Sequence, residues 1–227
     1  YYGLSREGGI GMKALLYKEW KLALHPTVFI FLLCALMLLI PSYPYYVAFY
    51  YTTLGIFFIF LTGRETRDIE FTVLLPVRKR DCVYARFWTI ICIELMQILI
   101  SIPFAFLSIR INPAGTNQAG IDLGIGFYGL IFMLYTVFNL SFAVPFYKTG
   151  YKAGRYFLIA SILMFTFMGM AEVLLHLIPG AAAIFDSSAV EMQVKQLPLL
   201  CMGILIFAIS AVWGARRAAG YFEKVDL

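Results

Sequence analysis

The chain has 227 residues, of which 62% are hydrophobic and only 14% are charged, and its formal net charge is +5. A soluble domain is about half apolar and a quarter charged, so the composition excludes an ordinary soluble protein. The apolar residues lie in runs near the length that crosses a hydrocarbon core of about 30 Å, which predicts an all-α polytopic membrane protein. Because excess Lys and Arg in membrane proteins mark cytoplasmic loops, the positive charge does not indicate a nucleic-acid partner.

The N-terminal part of the chain is predicted to lie on the membrane surface. Residues 1–11 are glycine-rich and lack an initiating Met, so we expect a tag or disordered leader there. In residues 12–25, Leu15 and Trp20 fall on one helical face and Lys18 falls toward the other. This pattern indicates an interfacial amphipathic helix with its tryptophan at headgroup depth.

Six membrane-spanning helices are predicted within a single transmembrane domain, residues 12–227. They lie at about residues 27–40, 45–62, 87–109, 122–146, 156–178 and 197–214. With both termini in the cytoplasm, the outer segments contain only Arg110 and Lys195 of the 18 Lys and Arg residues. Because the excess of positive charge lies in cytoplasmic loops, this division supports six spans.

A charged stretch at residues 64–80 interrupts the apolar spans. Residues 70–75 are too few to cross a bilayer, and Pro76 ends any helix there because it lacks an N–H group. Three basic residues follow at positions 78–80. A short helix on the cytoplasmic surface followed by a basic stop is one interpretation, and an ordinary loop between two spans is the other.

No enzymatic motif is apparent in the sequence. A G-x-G-x-x-G pattern at residues 124–129 has no preceding strand and lies in an apolar span, so it indicates close helix packing through small residues. The sequence contains no G-x-x-x-x-G-K-S/T and no H-E-x-x-H motif, and it has only two histidines. The sequence therefore predicts that the chain is not an enzyme and that it binds no metal or cofactor itself.

Polar residues inside the predicted spans fall on helical faces. Glu94, Gln97 and Ser101 share one face of the third span, and Glu172 and His176 share one near the outer end of the fifth. A carboxylate that faces lipid is costly, so these faces should meet protein or water. Two interpretations remain: hydrogen bonding between helices, or a translocation path whose candidate residues are Glu94, Gln97, Ser101, Asn139, Glu172 and His176.

The order of these features resembles the ABC-2 family of transporter permeases. Such permeases typically carry an acidic helix and then a Leu-Pro-Val/Ile-Ser-Arg-x-x-Ile/Val motif between the second and third spans. Residues 75–83 read LPVRKRDCV, with Arg78 where Ser is common. Residues 145–155 are similar to the second inside loop of the small stand-alone permeases, and residues 222–227 are similar to their ending. The likeness extends over residues 12–227 and is closest to a subgroup that includes exporters of phenol-soluble modulins.

The resemblance implies a fold of the ABC-2 (type V) exporter kind, with short outer helices at residues 179–196. It implies one half of an exporter, paired with a second permease copy or paralogue and with two copies of an ABC ATPase subunit that binds ATP and Mg²⁺. The main ATPase-coupling helix would include Glu65, Asp68, Glu70, Phe71, Leu74 and Pro76. A smaller second contact would include Lys148, Tyr151 and Arg155.

The substrate implied by that subgroup is an amphipathic peptide, a toxin or an antimicrobial peptide, moved out of a bacterial cell across its cytoplasmic (inner) membrane. Two alternatives of other classes remain. One is a secondary proton-coupled transporter that uses Glu94, Glu172 and His176 as a relay, although no inverted repeat is evident between the two halves. The other is a membrane immunity or scaffold subunit.

Overall fold

The computed structural model describes residues 11–74, 76–111, 117, 120–149, 152–178, 185 and 190–225. Within these ranges the helices, numbered in chain order, are α1 Met12–Lys18, α2 Thr27–Leu32, α3 Tyr46–Glu65, α4 Asp68–Val73, α5 Lys79–Ile111, α6 Ile125–Phe138, α7 Val144–Thr149, α8 Ala153–Leu177 and α9 Val190–Phe222. Three further segments continue them: a π-helical turn at Glu19–Ala23 after α1, a 3₁₀ helix at Leu33–Leu39 after α2, and a π-helical turn at Asn139–Ala143 between α6 and α7. The described ranges contain no strand.

Within the described ranges, five helical segments are long and apolar enough to cross a membrane. They are Tyr46–Glu65, Lys79–Ile111, Ile125–Thr149, Ala153–Leu177 and Glu191–Phe222. A sixth crossing is obtained if the bent pair Met12–Ala23 and Thr27–Leu39, whose two limbs meet at 83°, counts as one span. The all-α polytopic fold predicted from the sequence is confirmed.

The second limb of the bent pair, Thr27–Leu39, has few residues, but part of it is a helix type that is longer per residue. Six residues of this limb are α-helical, and the following seven form a 3₁₀ helix. Because a 3₁₀ helix rises about 2.0 Å per residue against about 1.5 Å in an α-helix, the limb is about 23 Å long. It therefore covers most of a hydrocarbon core of about 30 Å.

The helices that contain the third and sixth predicted spans are longer than those spans. α5 and α9 have 33 residues each, about 50 Å at 1.5 Å per residue, so both extend beyond the hydrocarbon core. The predicted spans at residues 87–109 and 197–214 lie within these two helices, because hydropathy reports only the apolar part of a helix. Residues 190–196 of the predicted outer helices belong to α9, and most of residues 179–189 lie outside the described ranges.

α6 lies at the centre of the bundle and α8 at its edge. The most apolar part of Ile125–Thr149 is 67% buried, against 17% for that of Ala153–Leu177. The core around α6 is rich in aromatic rings, and its fully buried members are Phe49, Phe60, Phe87, Phe127, Tyr135, Phe138, Phe142, Phe146 and Phe222. Several of these rings meet edge to face, as between Phe60 and Phe146 at 4.7 Å, an arrangement that aromatic quadrupoles favour.

Two glycines bring the backbones of α6 and α9 into contact. A Cβ atom at Gly129 would lie 2.6 Å from the Leu199 carbonyl oxygen, and one at Gly203 would meet the Gly129 carbonyl. No larger residue fits at either position unless the helices move apart. Gly129 is the last glycine of the G-x-G-x-x-G pattern, so the structure agrees with its interpretation as a helix-packing element.

Candidate functional site

Elements that are far apart in the sequence meet at one end of the bundle. α1 packs against α5, α4 packs against α3 and α5, and α7 packs against α9. We call this the basic end, because it contains Lys18, Lys21, Arg64, Arg67, Lys79, Arg80, Arg86 and Lys148.

A left-handed residue separates α3 from α4 at the basic end. α3 ends at Glu65, and Arg67 adopts φ 52° and ψ 32°. Because a left-handed residue cannot continue a right-handed helix, α4 starts as a separate six-residue helix at Asp68. The predicted coupling helix is corrected here, since Glu65 is the last residue of α3 and does not belong to the short helix.

Two positive and two negative side chains meet beside α4, and we call Lys18, Glu19, Asp68 and Arg86 the charge cluster. The Arg86 guanidinium pairs with Glu19 and with Asp68, and its Nη2 lies 2.6 Å from Asp68 Oδ2. Lys18 Nζ lies 2.7 Å from Asp68 Oδ1 and 3.4 Å from Glu19 Oε1. Each charge therefore has an opposite charge within ion-pair distance, and the cluster is formally neutral.

The charge cluster is held largely away from water. Arg86 is 3% exposed and Glu19 is 4% exposed. The guanidinium carbon lies 5.6 Å from the Phe60 ring centroid, within cation–π range. Gly63 leaves room for it, since a Cβ atom there would lie 3.3 Å from Arg86 Nη1. Because dehydrating an ion costs several kcal/mol, each of these charges depends on its partners.

The inner face of α4 belongs to the same cluster. The Thr72 hydroxyl accepts a hydrogen bond from Lys18 Nζ at 2.7 Å and donates one to the Asp68 carbonyl oxygen at 2.6 Å. Asp68 and Thr72 are four residues apart and so share one side of the helix. This side attaches α4 to α1 through Lys18 and to α5 through Arg86.

The outer face of α4, formed by Glu70, Phe71 and Leu74, is uncovered. Phe71 is 65% exposed and Leu74 is 81% exposed, and Glu70 and the following Pro76 are exposed beside them. α4 is too short to cross a bilayer. Large apolar side chains that are exposed together mark an interaction surface, either for a protein or for the membrane interface.

The second predicted contact is described only in part. Lys148 is exposed near the end of α7, and Arg155 is exposed in the first turn of α8. Tyr151 lies outside the described residues. Tyr147, the residue before Lys148, is buried against Phe222 of α9, with ring centroids 5.5 Å apart. The end of α9 therefore packs against this part of α7.

The residues after α9 are tied to the start of α5 by two contacts, which we call the terminal clasp. Arg80 Nη2 donates a hydrogen bond to Glu223 Oε2 at 2.7 Å, and Lys79 Nζ donates one to the Val225 carbonyl oxygen at 2.9 Å. The hydrogen bond from Arg80 lowers the pKa of the Glu223 carboxyl below its ordinary value. The clasp is exposed, unlike the charge cluster.

A second set of polar side chains is buried further along α5. Thr52, Glu94, Gln97, Tyr135 and Asn139 are each at most 2% exposed, and we call them the buried polar cluster. Asn139 Nδ2 donates hydrogen bonds to both carboxyl oxygens of Glu94, at 3.1 and 3.0 Å. Asn139 is also the first residue of the π-helical turn after α6, and such turns are frequent at functional sites.

Several atoms of the buried polar cluster lack a well-formed hydrogen bond. Neither amide atom of Gln97 has a hydrogen-bond partner among the described residues, and the same holds for the Oδ1 atom of Asn139. The hydroxyls of Thr52 and Tyr135 have only each other as side-chain partners in this part of the chain. A membrane interior offers no bulk water to such groups, so each unpaired atom costs free energy. This arrangement of helices therefore leaves the cluster incompletely paired.

The predicted polar face of α5 points into the bundle. Glu94, Gln97 and Ser101 are all buried, and Ser101 Oγ lies 3.1 Å from the Tyr128 hydroxyl of α6. The structure thus brings Glu94, Gln97 and Asn139 together inside a single chain. Their assignment to a translocation path stays a prediction.

Glu172 and His176 have a different setting, at the end of the bundle opposite the basic end. Glu172 Oε1 accepts a hydrogen bond from the Ile121 backbone N–H at 3.0 Å, so it holds the segment that precedes α6. His176 Nδ1 lies 2.9 Å from the Glu172 carbonyl oxygen, and the His176 ring is exposed. The path assignment of both residues stays a prediction as well.

Sequence reasoning alone misses the charge cluster. In the sequence, Arg86 is one of many cations next to a predicted span. Its partners Glu19 and Asp68 lie 67 and 18 residues away, so local spacing does not connect them with it. The available signal was an arginine at the border of an apolar run, with carboxylates on two nearby amphipathic segments.

The sequence profile of a family described as ABC-2 family transporter protein matches residues 14–216 of the chain. No curated protein and no solved structure matches it. The matched range contains α4, the charge cluster and the buried polar cluster.

Proposed function

The chain belongs to the ABC-2 transporter family, and from this membership we propose that it is the transmembrane permease subunit of an ATP-driven exporter. In this proposal the chain supplies the membrane-spanning helices and a surface for an ATPase. A separate subunit binds ATP and Mg²⁺ and hydrolyses the nucleotide. Family membership supports the transport role, and the direction of transport and the ATPase are the parts to be tested.

The observation that carries the proposal is the division of α4 into two faces. Its inner face is fixed to α1 and α5 through Asp68 and Thr72. Its outer face presents Glu70, Phe71 and Leu74 to the surroundings. A helix that is anchored on one side and apolar on the other suits the role of a connector between a docked subunit and the membrane helices.

The charge cluster provides a route for force from α4 into the bundle. When ATP closes the ATPase subunits, the docked outer face of α4 moves with them. Asp68 then displaces Arg86 and Lys18, so that α5 and the surface segment α1 shift together. Interfaces of this kind switch between discrete arrangements, and the incompletely paired buried polar cluster on α5 is a suitable place for such a rearrangement.

The proposed assembly contains two permeases and two ATPase subunits. The second permease is another copy of this chain or a paralogue, and Lys148, Tyr151 and Arg155 form the smaller contact with the ATPase. The basic end faces the cytoplasm of a bacterial cell, because Lys and Arg accumulate on that side of a membrane.

We also propose that the substrate is an amphipathic peptide, either a toxin or an antimicrobial peptide. The choice follows from the resemblance of residues 12–227, taken as a whole, to a subgroup that includes permeases of phenol-soluble modulin exporters. Inverted vesicles that contain the permease and its ATPase should accumulate such a peptide when ATP is added. Uptake that follows a proton gradient and needs no ATP would instead favour a secondary proton-coupled transporter.

The docking role of α4 is tested by changing only its outer face. The variants Phe71→Asp and Leu74→Asp should lose co-purification of the co-expressed ATPase, because each places a charge in an apolar contact. Glu70→Arg should weaken the same complex or uncouple ATP hydrolysis from transport. Thermal unfolding of the permease should not change, because these side chains are exposed.

The matched control is Glu191→Arg, the same charge reversal at an exposed position at the opposite end of the bundle. It should leave ATPase binding unchanged. If the three α4 variants retain both ATPase binding and transport-linked hydrolysis, α4 is not the docking element and the proposal fails.

A further inference from the structure

A deep apolar crevice separates α5 from α9 at the basic end. It has a volume of about 650 Å³ and is lined by Tyr84, Phe87, Trp88, Ile91 and Leu95 from α5, Phe132 from α6, and Ile204, Phe207, Ala208, Ala211, Val212, Ala215 and Arg216 from α9. We call it the α5–α9 crevice. It lies apart from the buried polar cluster, the charge cluster and the outer face of α4.

The crevice exists because small side chains face large ones. Ala208, Ala211 and Ala215 recur on one side of α9 at helical spacing, while Phe87 and Ile91 form the facing ridge of α5. Alanine side chains are too short to fill the space between the two helices. Between Gly203, where α9 touches α6, and the basic end, α9 therefore leaves a gap beside α5.

The length of the crevice corresponds to one leaflet of a bilayer. From Ile204 to Arg216 the wall of α9 extends about 18 Å at 1.5 Å per residue, and half of a hydrocarbon core is about 15 Å. Arg216 lies at the basic end of the crevice, so its cation reaches headgroup depth. The remainder of the wall is almost entirely apolar.

The crevice is narrow for its length. Its volume of about 650 Å³ is spread over about 18 Å of α9. Extended acyl chains are slender enough to enter. Because the lining is almost entirely apolar, water in the crevice has few polar partners, and hydrocarbon is the chemically matched filling.

The charge at the mouth indicates the type of headgroup. Arg216 forms no ion pair with any residue in the described part of the chain, and Tyr84 lies at the same end. The adjacent Arg217 is already engaged, since it stacks on Trp213 and its Nε lies 3.2 Å from the Tyr221 hydroxyl. A free guanidinium at headgroup depth is complementary to a phosphate.

We propose that the α5–α9 crevice binds one anionic phospholipid from the leaflet at the basic end. An acyl chain lies along the alanine side of α9, and Arg216 pairs with the lipid phosphate. The bound lipid fills the gap between α5 and α9 and so supports the helix that carries Arg86 and Glu94. This inference is independent of the substrate and of the ATPase.

The test uses the full chain in nanodiscs with equal amounts of phosphatidylglycerol and phosphatidylcholine, followed by native mass spectrometry. One phosphatidylglycerol should remain bound. Arg216→Gln should lower the ratio of retained phosphatidylglycerol to phosphatidylcholine about fivefold, the effect expected for one basic residue near an anionic surface. The neighbouring Arg217→Gln is the matched control and should leave the ratio unchanged.

The crevice itself is tested by filling it. Ala208→Phe should displace both lipids, and Ile209→Phe, at an exposed position outside the crevice, should displace neither. If Ala208→Phe fails to fold, Ala215→Leu serves the same purpose. Equal effects of Arg216→Gln and Arg217→Gln, or no retained lipid, would overturn the proposal. Loss of a permease dimer in Ala208→Phe with lipid unchanged would show that a second copy covers the crevice.

Discussion

Arg86 and Glu94 lie eight residues apart on the same helix, and both are almost completely buried. Arg86 has two carboxylates as partners, from α4 and from the segment after α1. Glu94 has the amide of Asn139 as its hydrogen-bond donor, and no cation of the described residues pairs with it. The charge cluster therefore pairs ions, whereas the buried polar cluster pairs one carboxyl group with one amide.

The difference shows what each region can tolerate. When the partner of a buried ion is removed, the ion is left uncompensated. Loss of one member of the charge cluster therefore destabilises the whole cluster. The buried polar cluster already contains unpaired atoms, so it can exchange partners at smaller cost. We infer that the basic end fixes the position of α4 and that the middle of α5 is able to rearrange.

Arg86→Met should give the largest loss of stability. It leaves the buried Glu19 with only the longer contact to Lys18, at 3.4 Å, and breaking a buried ion pair from one side costs about 3–5 kcal/mol. The free energy of unfolding in mixed micelles, measured by denaturant titration, is the direct check. The double variant Arg86→Met with Glu19→Met should recover part of the loss, because the buried carboxylate is then also removed.

The matched control for Arg86 is Arg80→Met, which removes the exposed pair with Glu223 in the terminal clasp. Solvent-exposed ion pairs contribute little, so this variant should unfold almost as the native protein does. If Arg80→Met and Arg86→Met have equal effects, burial does not distinguish the two pairs and the comparison fails.

Glu94→Leu should have an intermediate effect. It removes both acceptors of the Asn139 amide, and a buried donor left without a partner costs about 1–3 kcal/mol. Glu94→Gln keeps the shape and one acceptor, so its unfolding should be close to native. Altered ATP-dependent efflux of cationic substrates by a stable Glu94→Gln variant would assign this residue to the translocation path, and a silent Gln variant beside a destabilised Leu variant would reject that assignment.

Gln97→Met should have the smallest effect, a change of at most about 1 kcal/mol in the free energy of unfolding, because neither amide atom of Gln97 has a partner to lose. Methionine is similar in length and adapts to irregular cavities. The same denaturant titration measures the result. A loss as large as that of Glu94→Leu would mean that Gln97 is hydrogen-bonded in the folded protein, and the contrast between the two clusters would then be weaker.

Local periodicity was sufficient to predict part of this arrangement. The spacing of Glu94, Gln97 and Ser101 predicts one face of a helix, and that face is buried against α6. The same reasoning could not find the ion pair between Arg86 and Glu19, because it joins residues 67 positions apart. Nor could it place the break at Arg67, since nothing in an arginine side chain favours a left-handed backbone.

The contact between Gly129 and Gly203 has a mechanical consequence. Two helices that touch backbone to backbone cannot slide past one another without a clash, so α6 and α9 should move as a single rigid body. Spin-label distances measured with and without nucleotide should stay constant between α6 and α9 and change between α6 and the peripheral α8. The permease would then work as a fixed central column around which its outer helices are displaced.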